Sequence, residues 1–197
     1  MKRNILGRLG FVIAGVFILS GIGFAAEFSA DMVQTREKAL NKGKLYVKGG
    51  KIRQEITVGR KQIVIVRPDK KLVWTLDPAT KIYMVVTQKI MRGFDDPAFR
   101  AGVKKIGAPK RVVKETVNGY LCEKRRWVTK GTPATTLTEW VSRQLGIVLK
   151  SEMKAPWATT VIEYKNIKVG KVPDSLFEIP KGYKAMTPPP APKKPKP

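Results

Sequence analysis

The chain has 197 residues, 39 Lys and Arg against 15 Asp and Glu, a formal net charge of +24, a single cysteine and no histidine. Without histidine there is no Ser-His or Cys-His nucleophile pair, no imidazole base and no His-ligated zinc, and one cysteine provides neither an internal disulfide nor a multi-Cys metal site. A hydrophobic fraction of 43% with 27% charged residues describes one globular domain of ordinary size whose basic excess calls for an anionic partner.

The first 25 residues read as a secretory signal peptide. Lys2, Arg3 and Arg8 form a basic n-region, Leu9 to Leu19 an apolar h-region, and Gly23, Ala25 and Ala26 supply small residues for cleavage after Ala25 or Ala26. The competing reading is an uncleaved anchor, since residues 10–26 carry no charge. Export places the protein in the periplasm. Loss of Lys2, Arg3 and Arg8 lowers the charge by three, from +24 to +21. In an envelope such a charge meets anionic lipid headgroups and polymers rather than nucleic acid, for which the chain also carries no motif.

From Glu27 to Tyr183 the apolar residues recur mostly at every second position, the period of half-buried strands. The spacing predicts strands over 28–35, 44–48, 52–58, 62–67, 72–76 and 82–87. Further strands follow over 111–117, 120–129, 135–142, 147–153 and 159–167, with a short closing one near 176–179. Gly49-Gly50, Val58-Gly59, Pro68-Asp69, the run Asp77-Pro78-Ala79-Thr80, and Asn118-Gly119 are turn chemistry, so the strands form an antiparallel meander. One segment breaks the period. Asp96-Pro97 reads as an N-cap with proline at the first helical position, Phe99, Val103 and Ile106 fall at helical spacing, and Gly107 ends the run. This predicts an amphipathic helix lying on the concave face of a curved sheet, with Ile90, Met91 and Phe94 in a second turn or lid. The last ten residues hold six prolines and three lysines, which predicts a polyproline-like tail over 187–197.

The stretches Phe28-Ser29-Ala30-Asp31-Met32-Val33-Gln34, Gly43-Lys44-Leu45-Tyr46-Val47-Lys48 and Lys51-Ile52-Arg53-Gln54-Glu55 resemble the opening strands of the LolA-like superfamily, the outer-membrane lipoprotein carrier and sorting proteins. So do Leu72-Val73-Trp74-Thr75-Leu76-Asp77-Pro78 with Lys81-Ile82-Tyr83, and the closing Leu176-Phe177-Glu178-Ile179-Pro180-Lys181-Gly182-Tyr183. Asn118-Gly119-Tyr120-Leu121-Cys122-Glu123-Lys124 is similar to an uncharacterised branch of the same superfamily. The resemblance spans 27–183. It implies a mainly β domain over 26–186, an unclosed, strongly curved antiparallel half-barrel with one or two helices plugging its concave face. It also implies an apolar cavity that receives an acyl chain, a lipid or a lipoprotein.

On this reading Trp74, Met84, Met91, Phe94, Phe99, Val103, Ile106 and Trp140 line the cavity or its lid, methionine suiting chains of varying shape. Each also suits plain core. Lys104, Lys105, Arg125, Arg126 and, in the tail, Lys193, Lys194 and Lys196 are placed to contact an anionic membrane surface. No catalytic, metal or cofactor residue is expected: Asp95-Asp96 is the only adjacent acidic pair and Asp96 serves as a cap, while Cys122 reads as a small buried hydrophobe. The function expected is a periplasmic lipid- or lipoprotein-binding module, not an enzyme. The alternative is a structural or sensing envelope protein that docks a partner protein or an anionic polymer through its sheet face and basic tail.

Overall fold

In the computed structural model the residues described are 27–87, 103–105, 113–129 and 133–186. They form one sheet whose first six strands run as a meander: β1 (Phe28–Arg36), β2 (Ala39–Lys48), β3 (Lys51–Val58), β4 (Arg60–Arg67), β5 (Leu72–Asp77) and β6 (Ile82–Thr87). After β7 (Val103–Lys105) come β8 (Val113–Val117), β9 (Tyr120–Thr129), β10 (Thr136–Ser142), β11 (Ile147–Ala155) and β12 (Ala158–Val169), and β13 (Lys184–Ala185) ends the fold. The strand order is β13-β6-β5-β4-β3-β2-β1-β12-β11-β10-β9-β7, with β8 also paired to β9. Every pairing among them is antiparallel except that of β13 with β6. The two ends of this order do not pair, so the sheet stays unclosed, as the sequence leads one to expect.

The hairpins follow from residues that tolerate a left-handed backbone. Gly49 and Gly50 sit at φ +52° and +79°, and Asn118 and Gly119 at +49° and +85°, the two-residue turns whose twist matches that of the flanking strands. Gly43 has a different reason: a Cβ there would stand 2.1 Å from the carbonyl oxygen of Glu55 on β3. Only glycine lets β2 and β3 approach so closely.

Cross-strand partners share a face, so register sorts the side chains. Met32 faces one way with Ala30, Leu45, Gln54, Val64, Thr75 and Met84; Val33 faces the other, with Ser29, Tyr46, Arg53, Ile65 and Trp74. On the Met32 face, Met32, Ile56 and Ile162 pack together against Tyr164. Phe28, Ala30, Leu45 and Val47 join Val117, Cys122, Trp140, Leu145 and Leu149 in the largest cluster, which gathers β1 and β2 with β8–β11 although β12 lies between them in the sheet. That is the curvature of a half-barrel expressed as packing. Register slips between Ser29 and Asp31 and between Trp140 and Val141 supply the bends.

Two expectations need correction. Among the described residues there is no α-helix, and the one described piece of the expected helix, Val103–Lys105, is extended and pairs with Trp127, Val128 and Thr129 on β9. The free edge of β9 offers backbone partners, and a β-branched residue opposite another suits a strand. The rest of that segment, and the tail, lie outside the described residues. The closing strand at 176–179 is instead a 3-10 turn, Asp174–Phe177, within an extended strap. Pro173 and Pro180 flank it without an amide donor, and its carbonyls are taken by arginine side chains rather than by a neighbouring strand.

Candidate functional site

The strap decides which apolar surface remains open. It crosses the Val33 face of β3–β6, where Val172 and Phe177 bury among Ile63, Ile65, Trp74 and Leu76. Arg53 donates to the carbonyl of Leu176 at 2.9 Å and Arg67 to that of Phe177 at 3.0 Å. Arg67 also binds Asp69 at 2.7 Å and Glu178, and stands with Lys70 over the Trp74 ring. The Arg67 guanidinium holds the Asp69 carboxyl down to about 2, and Lys48 and Lys51 hold that of Asp174 down to about 2. Trp74, expected to line a cavity, is thus sealed beneath the chain's own C-terminal strap.

Met84 lies on the opposite face from Trp74, since Thr75 pairs with Met84 and Trp74 with Val85. Around it the Met32 face of β4–β6 carries Val64, Val66, Val73, Thr75 and Ile82. Val64, Val73 and Met84 are half-buried, and Ile82 is exposed. These three strands are therefore apolar on both sides. Of the expected lining residues, Trp74 and Met84 are among those described and lie on opposite faces of the sheet.

Trp140 lies far from both along the sheet. It pairs with Lys124 and Lys150, Lys150 pairs with Glu163 and Glu163 with Val33, which puts the register line of Trp140 on the Val33 face at the far end of the sheet. There an open groove of about 370 Å³ is lined by Lys124 and Arg126 of β9, Thr136, Thr138 and Trp140 of β10, and Lys150, Glu152 and Lys154 of β11. The period of two brings them together: 124 and 126, 136 to 140, and 150 to 154 alternate on one face of three adjacent strands. Trp140 floors the groove at 7% exposure while also closing the large core cluster. The ammonium groups of Lys124 and Lys150 stand 5.1 and 5.0 Å from its ring centroid. Its indole N–H donates to Glu115, which also takes Lys124 at 2.6 Å. Lys124, and then this N–H, hold the Glu115 carboxyl below its usual range.

The expected basic cluster is split by the same alternation. Arg126 lines the groove, whereas Arg125 points to the other face and binds Glu123 at 3.1 Å. Beside Arg125 across the β9–β10 register is Glu139, 6% exposed, with one carboxylate oxygen unpartnered among the described residues. Burial pushes its carboxyl up to about 7. Lys104 and Lys105 are placed by backbone on β7, while Met91, Phe94, Phe99, Ile106, Lys193, Lys194 and Lys196 lie outside the described residues. Cys122 is fully buried and burial pushes its thiol up, the reverse of what a nucleophile needs. Among the described residues no group of three His, Cys, Asp or Glu gathers to hold a metal ion.

The sequence reading missed Lys150, Lys154, Thr136 and Thr138. Their signal was the i, i+2 repeat of Lys150, Glu152 and Lys154 on a predicted strand, which a count of adjacent charges overlooks.

Comparison with known proteins bears on fold. The family model described as a domain of unknown function, DUF4412, matches residues 29–154. No curated protein matches the sequence. Among solved structures, an uncharacterized conserved protein from Thermus thermophilus is similar at a TM-score of 0.53 and 11% identity, covering 83% of this chain and 91% of that one. A chain in the MucA/MucB complex of Pseudomonas aeruginosa is similar at 0.50 and 15%, covering 77% of this chain. This chain spans 55% of the length of that one. A LolA superfamily protein from Nitrosomonas europaea is also similar, at 0.35 and 12%, covering 78% and 90% of the two chains. The likeness is one of fold.

Proposed function

The chain belongs to the DUF4412 family, and from that premise we propose that it is an exported envelope module that binds an acyl chain, as a lipid or a lipid-modified protein, on the Met32 face of its unclosed sheet. The observation that carries this reading is the pair of apolar faces on β4–β6. A sheet needs one apolar face to make a core; a second, bearing Val64, Val73, Ile82 and Met84, asks for an apolar cover of its own. The strap covers one side. An acyl chain is a cover for the other, and an unclosed sheet leaves it a way in. Residues 1–25, with their basic start and apolar run, support export to the periplasm.

The activity is binding rather than catalysis. The chain has no histidine, and its cysteine is buried with a raised pKa.

The test is titration of the purified protein with a fluorescent fatty-acid analogue, beside native mass spectrometry of the protein from its own envelope. Wild type is expected to carry or take up one apolar ligand, and Val73→Glu or Met84→Glu to lose it while far-UV circular dichroism stays unchanged. If neither a co-purifying lipid nor probe uptake is seen, the reading is wrong.

A further inference from the structure

The groove around Trp140 is not explained by the acyl-binding reading. Its cations lie on the register line of the Val33 face, while the Trp140 ring beneath them also packs into the core cluster with Ala30 and Leu45. We propose that it is a docking site for phosphate groups of an anionic lipid surface, with Trp157 as the apolar anchor beside it. Three observations converge on this. Four cations, Lys124, Arg126, Lys150 and Lys154, line one open groove with the hydroxyl-bearing Thr136 and Thr138. Lys124 is tied to Glu115 and Lys154 to Glu152, at 2.6 and 3.0 Å. Arg126 and Lys150 have no carboxylate within ion-pair distance among the described residues, although the charge of Lys150 is felt at Glu115.

The second observation is the floor. A nearly buried indole under two ammonium groups holds them at a fixed height by cation–π attraction, and Glu115 fixes both the indole N–H and Lys124. Solvated surface lysines do not share such a platform. The arrangement presents cations and hydroxyl donors side by side, which is the chemistry that recognises phosphate oxygens.

The third observation selects a membrane over a free anion. The β11–β12 hairpin closes on Ala155 opposite Ala158, leaving Pro156 and Trp157 at its tip, and Trp157 is 72% exposed. Lys154, at the groove's end, is one residue before that last pair. An exposed tryptophan set at the end of a row of cations matches the headgroup region of a bilayer, where an indole partitions at the interface and cations meet phosphate. A soluble anion would use the groove and leave Trp157 without a role. The proposal is independent of what the Met32 face holds.

The experiment is co-sedimentation of the full-length protein with vesicles of phosphatidylcholine alone or mixed with phosphatidylglycerol, and titration of the same protein with inorganic phosphate. Wild type is expected to bind the mixed vesicles and not the neutral ones. Arg126→Gln and Lys150→Gln should each weaken binding about fivefold. Lys42→Gln, an exposed lysine on β2, should leave it unchanged. The tryptophan emission should shift to the blue on vesicle addition, and lose that shift in Trp157→Phe without loss of fold. Equal losses in the Lys42 and groove variants would reduce the effect to net charge and overturn the proposal. So would tight binding of inorganic phosphate, abolished by the groove substitutions, with indifference to vesicles. Full vesicle binding by Trp157→Ser would overturn the assignment of Trp157 as the anchor.

Discussion

Glu139 is the residue at which burial and charge conflict most sharply. Its neighbour Arg125 is engaged by Glu123, one of its own oxygens lacks a described partner, and burial raises its carboxyl to about 7. The unfolded chain releases that proton near the ordinary glutamate value of 4.5, the folded chain only at about 7. Between those values the folded state binds more protons, so stability falls as pH rises and the loss is complete above the folded pKa. The size is about 3 kcal/mol at most. With no histidine in the chain, no imidazole titration overlaps this window. Thermal unfolding across it is expected to show wild type losing stability toward alkaline pH and Glu139→Gln holding it flat, more stable than wild type at about pH 8. An unchanged slope in the variant would assign the titration elsewhere.

At the scale of elements, the strap and the strands teach different lessons. The strands were legible because each has alternating apolar residues and ends in turn residues that the backbone demands, as at Gly49-Gly50 and Asn118-Gly119. The strap was misread as a strand because Leu176, Phe177 and Ile179 are apolar and extended-looking; only tertiary contacts reveal that their backbone serves Arg53 and Arg67. Period alone also gave no means of placing β1 between β2 and β12, a pairing made across more than a hundred residues. In the groove, alternation was present but unused: Arg125 and Arg126 are neighbours in sequence and lie on opposite faces. Phe177 is the strap's anchor, fully buried with Lys51 5.3 Å from its ring centroid. Phe177→Ala is expected to cost about 3–5 kcal/mol in chemical denaturation. Hydrogen exchange should then accelerate first at the amides of Lys184 and Met186, which bind Lys81 and Tyr83, while those of β1 stay protected. Uniform acceleration would mean that the strap and sheet unfold as one unit.

The whole molecule divides its two surfaces by the geometry of a single sheet. The Val33 face is strap-covered over β3–β6, polar where Asp31 meets Lys44 and Asn166, and basic over β9–β11. The Met32 face is mainly apolar from β12 through β1 to β6, with Gln34 and Gln54 buried in it. Because the sheet does not close, an apolar ligand has access to one face while the other meets a charged surface, and the two need not compete. Distant sites that share no partner act additively. Val73→Glu is therefore expected to abolish uptake of the fatty-acid analogue and leave co-sedimentation with phosphatidylglycerol vesicles intact. Arg126→Gln combined with Lys150→Gln should do the reverse, and the triple variant should show the sum of both losses. Coupling between them, seen as a groove variant that also loses the probe, would mean that the apolar ligand is collected from the membrane through the same contact, and that the two faces work as one device.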